Sequence, residues 1–185
     1  KNNKIKLCVG HIERYNPTVR KAKELLEKNI WGDILSIASR RFSPYPSRIQ
    51  DVGVLFDLAI HDVDLVSYLS NSFINQIHAF TGNSRNTKYE DYADLNFKLR
   101  SGVFASCQTN WLTCHRIREL SLTTRENYVN LDLLKQQITV FSEHKENPEI
   151  IKVPYEEPLR NEIQDFLASI KGDFEPISSS VNGLE

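Results

Sequence analysis

Residues 54–69 read VLFDLAIHDVDLVSYL, and the character of this stretch governs how the rest of the chain is read. Sixteen residues pass without Pro or Gly, and apolar side chains recur all along them. That is too long for a strand, and the spacing predicts a helix from Val54 to Leu69. Leu55, Leu58, Ala59, Val63, Val66 and Leu69 share one arc, the expected core face. Asp57, His61 and Asp64 stand at i, i+4 and i+7 on the other arc, within about 60° of one another at 100° per residue. Tyr68 continues that stripe. Two carboxylates flanking a His suit proton transfer, because the imidazole titrates near neutrality and a carboxylate fixes its tautomer. The same trio could ligate a divalent ion such as Zn or Mn. A solvated helix face could also carry it. Against that last reading, Asp51, Asp57, Asp62 and Asp64 follow one another with no Lys or Arg between them.

Working outward, Ile5 to Ile12 reads as a short strand buried on both faces. Asn16 is placed to cap a helix that Pro17 opens and that runs to Asn29, with Gly32 as its stop. Asp33 to Phe42 reads as a strand, and Pro44 and Pro46 force the segment after it into a loop. Ile74–Thr81, Ala93–Leu99 and Val103–Trp111 read as strands, the last two joined by a two-residue hairpin at Ser101-Gly102. Ile117–Thr124, Tyr128–Leu133, Gln137–Phe141 and Ile150–Val153 continue the strand pattern. Pro158 to Ile170 reads as a final helix with Ile163, Phe166, Leu167 and Ile170 inward and Gly172 as its stop. Ser178, Ser179 and Ser180 read as a frayed tail. The expected fold is α+β: a mixed, mostly antiparallel sheet with helices on one face.

The 185 residues include 23 Lys and Arg against 24 Asp and Glu, a net charge of −1. That balance argues against a nucleic-acid or anionic-membrane partner. No run approaches 18 apolar residues, so no membrane-spanning helix is expected. Cys8, Cys107 and Cys114 are too few for a disulfide framework and suit a reducing, cytoplasmic setting. Cys107, Cys114 and His115 match no trusted zinc spacing. The chain has no Met and starts at Lys1, so it is expected to be a processed product or an excised piece; Leu184-Glu185 is either native or a cloning remnant.

Weaker candidates surround the helix. Arg40, Arg41 and Arg48 bracket the Pro-Tyr-Pro loop and could hold a phosphate or carboxylate, or could be scattered surface cations. His11, Glu13, Arg14 and Asn16 end the first strand, where α/β proteins place ligand-facing groups. Trp111 is more often a core residue than a site residue. No GxGxxG, Walker A, HExxH or GxSxG motif occurs.

The segment Gly53 to Asp64 resembles a signature of the Gfo/Idh/MocA oxidoreductases, Gly-x-x-x-Asp-x-Gly-x-His-x-x-Asp, with Ala59 replacing the second Gly. Val9 to Pro17 resembles that family's domain junction, and Pro158 to Leu167 its late helix. The resemblance implies an enzyme with an N-terminal Rossmann domain that binds NAD or NADP and a C-terminal substrate domain. Only the second part is matched. Residues 1–15 would be the last strand and junction of the first domain, and residues 16–185 the substrate and oligomerisation domain. By resemblance, His61 is the acid/base for a substrate hydroxyl and Asp57 its partner. Arg14, Asn16, Arg41, Tyr45, Arg48, Asp64 and Trp111 would meet the substrate, and His11 and Glu13 could touch the cofactor. No metal is implied.

Arg40 to Gly53 further resembles the nucleotide-sugar members of the family, such as the UDP-N-acetylglucosamine 3-dehydrogenases. A fragment without the dinucleotide half is expected to be inactive alone. An apolar strand near Leu7 without its sheet is expected to be disordered, to pair with a second copy, or to pack on its own domain. The family's habit of associating through its open sheet face implies a homo-oligomer of at least twice the chain mass.

Overall fold

The computed structural model describes residues 5–85 and 88–179. Eight strands form one sheet: β1 (Ser36–Phe42), β2 (Ile74–Gly82), β3 (Tyr92–Leu99), β4 (Phe104–Asn110), β5 (Ile117–Thr123), β6 (Asn127–Asp132), β7 (Gln137–Ser142) and β8 (Glu149–Lys152). Their spatial order is β2-β3-β4-β1-β5-β6-β7-β8. Only β1 and β4 run parallel, with Ser39 opposite Cys107; the remaining neighbours are antiparallel. The mixed α+β architecture expected from the sequence is the one observed.

Strand alternation puts one face of the sheet inside. Ile37, Leu95, Phe97, Cys107, Leu120, Leu122, Val129, Leu131, Ile138 and Val140 are buried there. Helix α1 (Pro17–Glu27) lies over β6 and β7, and helix α2 (Ile60–Ser70) over β1 and β4. Val19, Ala22, Leu65, Val66 and Leu69 fill the space between helices and sheet. The other sheet face is uncovered, and Phe80, Tyr92, Phe104, Tyr128 and Phe141 stand exposed on it or at its edge. No helix among the described residues is long and apolar enough to cross a membrane.

Asn16 caps α1 as expected, its Oδ1 accepting from Thr18 N–H at 3.1 Å, with Pro17 at the first helical position. The stop differs: Asn29, at φ 54°, takes the left-handed position and Gly32 comes later in the turn. The β3–β4 hairpin has three loop residues, because Gly102 N–H donates to Leu99 O while Leu99 N–H donates to Val103 O. Gly102 sits at φ 91°, the bulge position such a loop needs.

The first segment is not a strand. Residues 5–11 run extended with a single bridge, Cys8 to Ser179, supported by Val9 N–H donating to Ser178 O at 2.9 Å. Ile5 and Leu7 are exposed, because nothing covers the outer side of this ribbon. Of the three expected fates for this segment, packing on its own chain is the one seen. Ser178 and Ser179 are accordingly buried rather than frayed; Ser180, Leu184 and Glu185 lie outside the described residues.

Helix α3 (Pro158–Gly172) also turns the other way from expectation. Ile163, Leu167 and Ile170 are about half exposed, while Glu162 and Ser169 face inward. Polar contacts set this orientation. Asp165 accepts from both Tyr15 Oη and Ile177 N–H, and Asn161 Nδ2 donates to Tyr15 O. Asp173, at φ 52°, ends the helix in place of Gly172.

Candidate active site

A cavity of about 510 Å³ opens beside the start of α2, within the size range of small-molecule sites. Asp57, Leu58 and His61 form one wall; the loop from Ser43 through Tyr45 to Arg48 forms another. Glu13, Arg41, Arg116 and Arg118 close the remaining sides. Of the sequence candidates, the fold therefore gathers His61, Asp57, Tyr45, Arg48, Arg41 and Glu13 around one space.

The expected α-helix from Val54 begins instead as a π-helical turn, Leu55–Ala59. Ile60 N–H reaches back five residues to Leu55 O before the chain settles into α2. The turn is pinned at its entrance by Glu90. Leu55 N–H donates to Glu90 Oε1 at 3.1 Å and Val54 N–H donates to Glu90 O at 3.1 Å. A Cβ on Gly53 would run into the Glu90 carboxylate, so a larger residue there would displace that side chain from Leu55 N–H. Asp57 and His61 thus reach the cavity through a wider turn than the 100° rule assumes.

Behind the cavity wall lies a buried ion network. Arg41 Nε and Nη2 donate to Asp62 at 2.8–3.1 Å, and Nη1 donates to Glu13 Oε1 at 2.7 Å. All three side chains are nearly inaccessible. Burial opposes charge on Arg41, but Asp62 and Glu13 hold it above its ordinary pKa. Burial pushes the Glu13 carboxyl up, yet Arg41 and then Arg118 outweigh it and bring the group below its usual value.

His61 sits against this network. Burial lowers its pKa, and the positive charge of Arg41 lowers it further. The imidazole is therefore neutral at neutral pH and able to accept a proton. Its Nδ1 is buried with no hydrogen-bond partner among the described residues, so the ring has unspent polar capacity at the cavity wall.

The other candidates lie elsewhere. Asp64 faces Arg14, whose Nε and Nη2 donate to it at 2.6–3.1 Å. His11 Nε2 approaches Asp64 Oδ1 at 3.5 Å without hydrogen-bond geometry. Arg14 also lies over the Tyr68 ring, 4.8 Å from its centroid. The trio Asp57, His61 and Asp64 is therefore split. Among the described residues no group of three His, Cys, Asp or Glu side chains gathers where an ion could bind. The metal-site reading of the trio is corrected by this geometry.

Asn16 is buried as a helix cap and donates from Nδ2 to Leu133 O at 3.0 Å. Trp111 is buried, stacked edge-on with Tyr45 at 5.7 Å and packed with Val54, Leu58 and Ala93, so it supports the loop rather than lining the cavity. Arg40 points to the open sheet face and pairs with Glu119 at 2.6 Å.

Arg116 and Arg118 were not singled out in the sequence. A parity signal existed: residues 118, 120 and 122 share one side of β5, and Leu120 and Leu122 are core. An Arg on the buried side of a strand should be paired or at a site.

The seven glycines of the chain nowhere take the spacing that seats a dinucleotide pyrophosphate. Glu13 is sealed into its pair with Arg41 and His11 lies largely buried beside Asp64.

Comparison with known proteins follows this geometry. Residues 19–127 match the model of the GFO/IDH/MocA C-terminal domain. UDP-N-acetylglucosamine 3-dehydrogenase from Acidithiobacillus ferrooxidans is 24% identical over 172 residues, 89% of this chain and 53% of that protein. Its solved structure superposes with a TM-score of 0.87, at 23% identity, over 97% of this chain and 57% of that one. A levoglucosan dehydrogenase in complex with NADH and levoglucosan superposes with a TM-score of 0.87, at 17% identity, over 98% of this chain and 61% of that one. The chain thus spans about half the length of these relatives. With more than half of its residues under the family model, the chain belongs to the GFO/IDH/MocA oxidoreductase family and carries that family's C-terminal domain.

Proposed function

We propose that this chain is the substrate domain of an NAD(P)-dependent dehydrogenase that oxidises a hydroxyl of a sugar or nucleotide sugar. The observation that carries the reading is the convergence of His61 and Asp57 on one cavity, with His61 held neutral. A neutral imidazole can take the hydroxyl proton as the carbonyl forms. A nicotinamide, when bound by the full-length protein, would accept the hydride leaving the same carbon. Asp57 lines the same wall and would stabilise the imidazolium or accept a hydrogen bond from a neighbouring substrate hydroxyl. Tyr45 and Arg48, on the facing loop, would hold the ring and its substituents. Arg41 and Asp64 act at one remove, Arg41 by tuning His61 and Asp64 by fixing Arg14 and, through it, the Ile12–Tyr15 turn. His11 and Glu13 support the wall rather than a cofactor.

The test is a full-length protein assayed for NAD+ or NADP+ reduction with a panel of sugars and UDP-sugars. His61→Asn should lower kcat by about a hundredfold or more, the scale of one lost general base. Undiminished turnover in that variant would overturn the reading, and nicotinamide reduction by the 185-residue chain alone would overturn its corollary, that the chain is inactive by itself. We also propose a homo-oligomer through the uncovered sheet face, because Phe80, Phe104, Tyr128 and Phe141 stand exposed there and a second copy would cover them. The full-length enzyme is expected to act in the cytoplasm.

A further inference from the structure

Arg41 and Arg118 stand directly opposite one another across the β1–β5 ladder. Like charges at paired positions repel, and both side chains reach the same cavity. Glu13 Oε1 lies between them, 2.7 Å from Arg41 and 3.5 Å from Arg118. One carboxylate oxygen therefore serves two guanidiniums: Arg41 Nη1 donates to it at 2.7 Å and Arg118 Nη1 at 3.5 Å, the outer limit of a hydrogen bond. Asp62 gives Arg118 no hydrogen bond, because its oxygens accept from Arg41, and acts on it only as a more distant charge. Arg118 is left partly desolvated, with a long bond to a carboxylate that Arg41 holds more closely; burial and then Arg41 depress its pKa.

Arg116, two residues earlier on the same side of the chain, lines the cavity and pairs with no carboxylate among the described residues. Arg48 is likewise unpaired across the mouth. Among the described residues, Asp57 is the lining carboxylate that no arginine engages. The cavity thus keeps an excess of positive charge on guanidinium forks, the groups best shaped for phosphate oxygens.

We propose that Arg118 and Arg116 form an oxyanion subsite that takes a phosphate or diphosphate group of the substrate whose hydroxyl meets His61. This rests on the cavity being the substrate site, and it narrows the substrate class to phosphorylated sugars. A phosphate placed there completes the hydrogen bonds of Arg118 and relieves its repulsion from Arg41. Arg41 is not part of the subsite, since its donors are already spent on buried carboxylates.

The experiment is calorimetric titration of the 185-residue chain with inorganic diphosphate and, separately, with inorganic phosphate, at fixed ionic strength. Arg116→Ala and Arg118→Gln should each weaken diphosphate binding about tenfold or more, and Arg118→Lys should restore part of it. Arg116 is exposed, so its variant keeps the fold whatever happens to the other. Arg100→Ala, on the β3–β4 hairpin, should bind as the parent does. Diphosphate preferred over phosphate supports a nucleoside-diphosphate ester as the source of the anion. Equal binding supports a sugar monophosphate. Binding indifferent to both Arg116 and Arg118, or no binding above the effect of chloride, overturns the subsite. A His61→Asn variant that still turns over would sink the dehydrogenase reading while leaving the diphosphate titration intact, so the two failures are separable.

Discussion

Arg14 grips Asp64 with two of its nitrogens, and each side chain is only 6% exposed. The third nitrogen, Nη1, donates to Ile177 O at 3.1 Å, tying α2 to the C-terminal segment. Replacing Asp64 by Leu leaves a buried guanidinium without its charge partner. The expected cost is about 3–5 kcal/mol in urea unfolding, and the double variant Arg14→Leu/Asp64→Leu should recover much of it. A single variant as stable as the parent would show that the pair contributes little.

Gly53 and Glu90 make a second coupled pair. Gly53→Ala pushes the Glu90 carboxylate aside, so the bond to Leu55 N–H is lost. The expected loss is about 1 kcal/mol, the size of one hydrogen bond. Glu90→Ala should cost about the same, and the double variant no more than either. Strict additivity in denaturant melts would contradict the coupling.

His61 should make the fold acid-sensitive. Its folded pKa is depressed by burial and by Arg41, so below about pH 6.5 the unfolded chain binds more protons than the folded one. Stability then falls as pH drops through that value, down to the lowered folded pKa. His61→Gln should flatten the thermal-midpoint profile between pH 5 and 7. In NMR titration of the chain, the His61 ring protons should shift only at pH below the ordinary histidine range.

Glu162 predicts the opposite slope. Its carboxyl is buried on α3, Oε1 has no hydrogen-bond partner among the described residues, and burial raises its pKa. The folded chain binds the extra proton here, so this group costs stability as pH rises past the ordinary carboxylate range. Glu162→Gln should therefore raise the thermal midpoint at pH 7 and leave it unchanged near pH 4.

Light scattering tests the open sheet face. The parent should give at least twice the chain mass of 21.4 kDa. Phe104→Asp, at an exposed aromatic of that face, should shift it toward the single-chain mass without lowering the thermal midpoint by more than a few degrees.

Most of the sheet was legible in the sequence because its central strands alternate, with Ile37, Leu120, Leu122 and Val129 marking the inside of β1, β5 and β6. The helix with Asp57 and His61 was legible from its length and lack of breakers. Its π-helical opening was not, since the contacts that pin its entrance come from Glu90, which is distant in sequence. Ile163 and Leu167 misled because an apolar stripe states that a face wants cover, not that this chain supplies it. Asp64 and Arg14 show the remaining gap. Charge-pair partners fifty residues apart leave no periodic trace, so a motif Asp that locks the fold reads the same as one that meets a ligand.

The π-helical turn at Leu55–Ala59 has a consequence for how this domain can vary. Removing one residue from it would let an ordinary α-helix run through, a locally smoother backbone. Everything beyond would then rotate by about 100° and slide about 1.5 Å relative to the Glu90 anchor. His61 would leave the cavity, and Asp62 would lose its geometry with Arg41. The irregular turn works as a frame-setting insertion: an outward-facing residue such as Phe56 can be exchanged there, whereas a change in length displaces the cavity wall and the buried ion network together.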